Sequence, residues 1–401
     1  MDITRPEDAE IAAVYDCGVT QGDVQVFRQA QKRGRTFATY TSDAFGDGTS
    51  TCYREAAELG FDVLKEDGEG KNGTFVVELT QPTRPRTVSF VEVAQGSHNQ
   101  TVHPGGRYLY NSNADLITSF QPAIEVYDIS DFAAPLKVTE LALPARPGLG
   151  TESHDITFSD DGERAYSAAL SQGVIIDTED PARPEIVSSY LDPAINVWHQ
   201  SDPFTLTDEE GDEREFVIVE DEFAGAAGGP VCPSGGFHVY ETTGELERAP
   251  VKVGAWNIDE VRTTTSPTNT CTAHVFDIHE EQQLMTVAYY NGGVRVVDIS
   301  GLAGISLGST SLVGEGMKEI GFYRLDGADT WAAKTPVIEP GGGFYLYGND
   351  IARGLDVYRF EAGERPSQRD GRWRSAAELR RLAPAAPAVG EDYTLFCLVG
   401  R

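Results

Sequence analysis

The sequence predicts an all-β protein assembled from repeated antiparallel units, and three observations carry that reading. Four stretches share one pattern, an apolar strand followed by an Asp or polar residue and then a Pro-rich exit. They are TFVVELTQPTRPRTV from Thr74, AIEVYDISDFAAPLKV from Ala123, GVIIDTEDPARPEIV from Gly173 and GVRVVDISGL from Gly293, and GLDVYRFEAG from Gly354 is a fifth without the exit. Each follows a second strand: RTFATYTSD, RYLYNSN, RAYSAALSQ, LMTVAYYNG and FYLYGND. The segments alternate or are β-branched and aromatic, and turn residues bound them, which is the signature of strands. A repeat of roughly 45–75 residues built from three or four short strands is a propeller blade. The units begin near residues 22, 96, 152, 197, 272 and 332. They predict one domain over residues 1–401, a single β-propeller of six four-stranded blades, with strand segments to spare for a seventh.

Each element then has a local reason. Residues 42–72 interrupt the first blade, and CYREAAELG within them reads as a short helix with a Gly stop. The fourth blade is the least regular, because a Gly-rich insertion parts REFVIVEDE from GGFHVYETTG. SDFAAPLKV and TEDPARPEIV place Pro where a strand ends, since Pro cannot donate into a ladder. In the C-terminal extension, 361–401, SAAELRRLA reads as one more helix and YTLFCLVG as a spare strand. N-terminal IAAVYDCG is expected to supply the outermost strand of the last blade and so protect its edge.

Composition narrows the partners. The formal net charge is −31, with 63 Asp and Glu against 32 Lys and Arg. Such a surface repels nucleic acid and anionic membranes and suits divalent cations or cationic ligands. No apolar stretch is long enough for a transmembrane helix. The acidic start MDITRPEDAE is no signal peptide and reads as what remains after a leader is removed. Five cysteines without CxxC spacing (Cys17, Cys52, Cys232, Cys271 and Cys397) suit two disulfides and a free thiol in an oxidising compartment, or buried thiols in a reducing one. Cys232 with Cys271 is the expected pair, because both sit in loops that flank one structural unit. The expected location is secreted or cell envelope.

The strands GVIIDTEDPARP, IEVYDISDFAAP and VRVVDISG resemble the repeats of the LVIVD-repeat family. The resemblance covers most of residues 73–360. It implies a β-propeller of the extracellular or envelope kind and implies no particular reaction.

Only seven histidines occur, and two of them fall in GSHNQTVHPGGRYLY, residues 96–110. Aligning the units on the first-turn glycine explains one. His98 stands eight residues before Gly106, His154 eight before Gly162, and His274 eight before Gln282. His199 opens the fourth unit, and Lys334, eight before Gly342, takes the position in the sixth. That position is the entry of each blade's first strand, which lines the central channel. His98, His154, His199 and His274 are therefore expected to converge at its mouth. Three readings stay open there: a metal site, imidazoles capping a neighbouring blade's backbone, and an organic-ligand or catalytic-base site. Asp155, Asp202 and Asp277 lie near the histidines as candidates to orient them. Lys334 is a candidate substrate contact at the same mouth. Trp198 and Trp331 are candidates for an aromatic wall beside a small molecule. His103, His238 and His279 read as structural. GDGTST and EDGEGKNGT lack the ending of a phosphate loop, DGEGKNG is too short for an EF-hand, and no nucleophile elbow precedes a helix.

Two functional classes follow. One is a metal-dependent oxidoreductase or oxygenase acting on a small organic molecule, with a single transition-metal ion, Cu or Fe ahead of Zn, and no nucleotide cofactor. Its His-per-blade spacing is similar to that of propellers, such as carotenoid-cleaving oxygenases, that hold an axial metal. The other is a non-catalytic extracellular scaffold that binds a protein or ligand on the propeller face.

Overall fold

The computed structural model describes residues 1–19, 23–41, 46–93, 96–113, 123–146, 150–222, 231–232, 235–258, 262–263, 271–305 and 314–362. The chain divides into two compact units, one from Met1 to Asp192 and one beginning at Pro193. Each carries three blades of the β-propeller type.

In the first unit, blade one is β1 (Val24–Phe27), β2 (Phe37–Thr41), β3 (Gly73–Glu78) and β4 (Arg86–Glu92). Helix α1 (Thr51–Glu58) lies in the segment between β2 and β3. Blade two is β5 (Asn99–Val102), β6 (Tyr108–Ser112), β7 (Ala123–Asp128) and β8 (Leu136–Ala142), and blade three is β9 (Asp155–Phe158), β10 (Arg164–Ala168), β11 (Gly173–Asp177) and β12 (Glu185–Tyr190). The second unit opens with β13 (Trp198–Thr207), β14 (Glu213–Asp221), the two-residue β15 (Val231–Cys232), β16 (Phe237–Glu241), β17 (Val251–Trp256) and the two-residue β18 (Arg262–Thr263). Strands β13, β14, β16 and β17 form blade four, while β15 and β18 pair with each other. Blade five is β19 (His274–His279), β20 (Leu284–Ala288), β21 (Val294–Asp298) and β22 (Lys318–Tyr323). Among the described residues blade six has three strands, β23 (Thr330–Lys334), β24 (Phe344–Asp350) and β25 (Gly354–Phe360). All pairings are antiparallel meanders.

The repeated apolar stretches are the third strands. They are buried along their length: Val174, Ile175 and Ile176 in β11, and Val294, Val296 and Val297 in β21. Every four-stranded blade shifts register between its third and fourth strands, as at Val76/Val77 and Ile175/Ile176. Such bulges sharpen the twist that blades need. Between blades two and three, His103 acts as a pin. Its Nδ1 accepts from the Gly105 N–H at 3.0 Å, so Nε2 carries the proton and donates to the Gly162 carbonyl at 3.0 Å. Gly162 sits at φ +76°, and a Cβ there would lie 2.5 Å from that Nε2, so the turn requires glycine.

Two expectations need correction or completion. Residues 11–18 form no strand, so IAAVYDCG does not extend blade six. They are tied instead to blade one: Cys17 is disulfide-bonded to Cys52 on α1, and Tyr15 Oη bonds to Glu55 and to Thr87. Cys271 is also disulfide-bonded, but the Cys232 side chain lies outside the described residues. So do the expected C-terminal helix, YTLFCLVG and Cys397. Among the described residues no helix is long and apolar enough to cross a membrane.

Candidate metal centre

Sequence order delivers a histidine to the entry of four first strands. In the first unit, His98 immediately precedes β5 and His154 precedes β9. Both are buried, and their ring centroids lie 4.2 Å apart. Their backbone N–H groups donate to Ser112 and Ala168, which fixes each residue at the end of its ladder. In the second unit the entries are bulged. The register shifts between Trp198 and Gln200, between His274 and Phe276, and between Thr330 and Ala332. A bulge re-aims the side chain it carries, and in blade four that side chain is His199.

His199 and His274 come from adjacent blades with ring centroids 4.5 Å apart. Glu222, one residue past β14, lies between their far nitrogens. Its Oε2 is 3.5 Å from His199 Nε2 and its Oε1 is 3.9 Å from His274 Nε2. Exposure is 4 % for His199 and 1 % for both Glu222 and His274. One ligand atom from each of the three lies within 4.8 Å of the others. These separations exceed a hydrogen bond and approach the roughly 3.0–3.4 Å that parts neighbouring ligands around a metal with bonds of about 2.1 Å.

The near nitrogens are already committed. His274 Nδ1 lies 2.5 Å from the carbonyl of Trp331, a group that only accepts, so Nδ1 carries the proton. His199 Nδ1 lies 2.5 Å from the buried Glu220 carboxylate, which imposes the same tautomer. Each ring then turns its Nε2 toward Glu222. Tyr290 completes the arrangement by donating its hydroxyl to Glu222 Oε1 at 2.6 Å. A buried carboxylate facing two imidazole nitrogens is a donor set that a cation can join.

The other expected residues divide. Trp331 is half-buried with its ring edge-on to His274, centroids 5.0 Å apart, so it does flank the site. Trp198 is fully buried and stacked on Tyr240, with ring centroids 6.1 Å apart. Lys334 is not at an entry. The segment between β23 and β24 spans residues 335–343, longer than residues 280–283 between β19 and β20, so counting eight back from the glycine stops at the end of β23, short of its start. Thr330 and Trp331 stand there, and Lys334 lies at the other end, exposed and paired with Asp277 at 2.6 Å. Lys334 and Asp277 thus engage each other, beside His279. Asp155 accepts from Asn99 Nδ2, and Asp202 accepts from Gln200 Nε2. His279 packs under Thr286, and its burial, opposed in part by Asp277, lowers its proton affinity.

Glu220, Glu222 and Tyr290 were not singled out by sequence. The one signal for the two glutamates is that VIVEDE carries three consecutive acids straight out of an apolar strand. All three are buried, and Asp221 serves the backbone by accepting from the N–H groups of Asn196 and Val197.

No family profile matches the chain, and no curated protein matches it in sequence. Solved structures do match in shape. Hydrazine synthase from Kuenenia stuttgartiensis aligns over 84 % of this chain and 83 % of its own, with a TM-score of 0.51 and 11 % identity. The Myceliophteria thermophila Swd1 beta-propeller domain aligns over 84 % and 83 %, with a TM-score of 0.46 and 8 % identity. The periplasmic gluconolactonase of Pseudomonas aeruginosa aligns over 84 % and 88 %, with a TM-score of 0.46 and 10 % identity. At these identities the likeness concerns fold alone.

Proposed function

We propose that His199, Glu222 and His274 hold a divalent transition metal, and that the protein is a secreted propeller enzyme that oxidises or oxygenates a small organic molecule there. The observation that carries the metal reading is the shared tautomer. Both imidazoles have Nδ1 engaged by an acceptor and present Nε2 to one buried carboxylate. Outer partners of this kind orient metal-binding histidines and raise their basicity.

Two imidazoles and a carboxylate support Fe(II) or Zn more than Cu, and Fe(II) fits the oxidative reading. When bound, such a metal supplies Lewis acidity and, as Fe(II), one-electron chemistry, with positions left for a substrate. The chain's own residues do the rest. Glu220 and the Trp331 carbonyl hold the rings. Tyr290 and Trp331, 6.3 Å apart and both against His274, offer aromatic surface to an apolar ligand. A net charge of −31 favours loading with a cation. The disulfide supports an oxidising compartment. The placement of GVIID, AIEVYD and VRVVD as third strands supports an LVIVD-type repeat.

The test is oxygen uptake by the Fe(II)-reconstituted protein across a library of small organic compounds. Uptake that depends on one class of compound and disappears in Glu222→Gln is expected. Stoichiometric metal without turnover of any compound would overturn the enzymatic reading and favour the binding scaffold.

A further inference from the structure

We propose that Tyr290 is a positioning residue that makes Glu222 a one-oxygen ligand, an inference that rests on the metal site proposed above. Its hydroxyl takes Glu222 Oε1 at 2.6 Å and leaves Oε2 facing His199 Nε2 at 3.5 Å. Its ring lies edge-on to His274, centroids 5.0 Å apart. The backbone holds it there. Tyr290 sits at φ +42°, and its N–H and C=O exchange hydrogen bonds of 3.0 and 3.1 Å with Thr330 at the start of β23.

The left-handed conformation belongs to the blade and not to the site. Leu170, in the same turn of blade three, has φ +51°. What differs is the side chain. The first unit has its own pair of entry histidines, yet it carries Leu170 where the second carries Tyr290. One residue past the second strand it likewise carries Asn113 where the second unit carries Glu222. Carboxylate and hydroxyl thus occur together around one histidine pair and are both absent from the corresponding positions of the other. A ligand and the donor that orients it are expected to be paired in this way. With Oε1 engaged by the phenol, the carboxylate binds through Oε2, and a coordination position stays available for substrate.

The experiment is Co(II) titration of the chelator-treated full chain, read by visible absorption, on wild type, Tyr290→Phe, Tyr290→Leu and Tyr289→Phe. Leucine is the residue blade three accepts at this turn, so it guards against misfolding of the phenylalanine variant. Tyr289 bonds Asn257 and Gly235 and serves as the control. Both Tyr290 variants should bind Co(II) about 10–100-fold more weakly, with shifted bands, as expected when an outer partner is lost, and Tyr289→Phe should match wild type. Tyr290 variants with wild-type affinity and spectrum would overturn this inference alone. Wild type that takes up neither Co(II) nor Zn(II) would overturn the metal reading and this inference with it.

Discussion

His274 donates its Nδ1 proton to the main-chain carbonyl of Trp331 at 2.5 Å. The bond joins blade five to blade six and fixes which nitrogen of His274 can act as a ligand. His199 obtains the same result from a side chain, Glu220. The two histidines therefore differ in how easily their orientation can be altered by mutation.

Glu220→Ala should weaken metal binding about 10–100-fold while leaving the fold intact. Removing the acceptor frees His199 to turn, and a buried donor left without its partner costs about 1–3 kcal/mol of stability. Glu220→Gln keeps an acceptor oxygen and should lose less of both. Isothermal titration with Zn(II), beside urea denaturation, reads the two effects separately. Equal affinity in Glu220→Ala and wild type would show that Glu220 does not orient the ring.

The Cys17–Cys52 disulfide closes a sequence separation of 35 residues and fastens the N-terminal segment to α1. Loop-closure entropy for that length predicts a loss of about 4 kcal/mol in Cys17→Ser/Cys52→Ser. The double variant is preferable to a reductant, because Cys271 is disulfide-bonded as well. The urea midpoint of the variant should fall accordingly, and blade one should open first in hydrogen exchange. An unchanged midpoint would mean that Tyr15, Glu55 and Thr87 hold the segment without the bond.

Asp329 gives a pH dependence of defined sign. Burial, then the nearby Asp350 carboxylate, raise its pKa from 3.8 to about 6, and Arg353 only partly opposes them. Between those values the folded state holds a proton that the unfolded state has released, so stability falls as pH rises from about 4 to 6. Asp329→Asn should therefore be more stable than wild type at pH 7.5, by about 3 kcal/mol, and nearly equal to it at pH 4. Thermal melts of the two proteins across that range check this. A variant less stable at pH 7.5 would show that the charged carboxylate has a stabilising partner.

Much of this architecture was legible in the sequence, because β11 and β21 are buried on both faces and so are written as unbroken apolar runs. The entry histidines were legible for a related reason, since a repeated blade reuses one position. Lys334 misled because the segment after β23 is longer than in blade five, and spacing from a glycine measures a loop as well as a strand. Glu222 was hidden among 63 acidic residues. Only the bulge at His199 and the end of β14 bring it between two imidazoles, and neither is marked by residue type. Tyr290 was read as part of the second-strand segment LMTVAYYNG, and its role depends on a contact with residues distant in the chain.

The most direct measurement is elemental analysis of untagged wild-type protein beside Glu222→Gln and His199→Ala/His274→Ala, each confirmed as folded by circular dichroism. The account predicts close to one equivalent of Fe or Zn in wild type and little or none in either variant. Wild type that is metal-free and refuses added Fe(II), Zn(II) and Cu(II), or Glu222→Gln that keeps its metal in full, would contradict it.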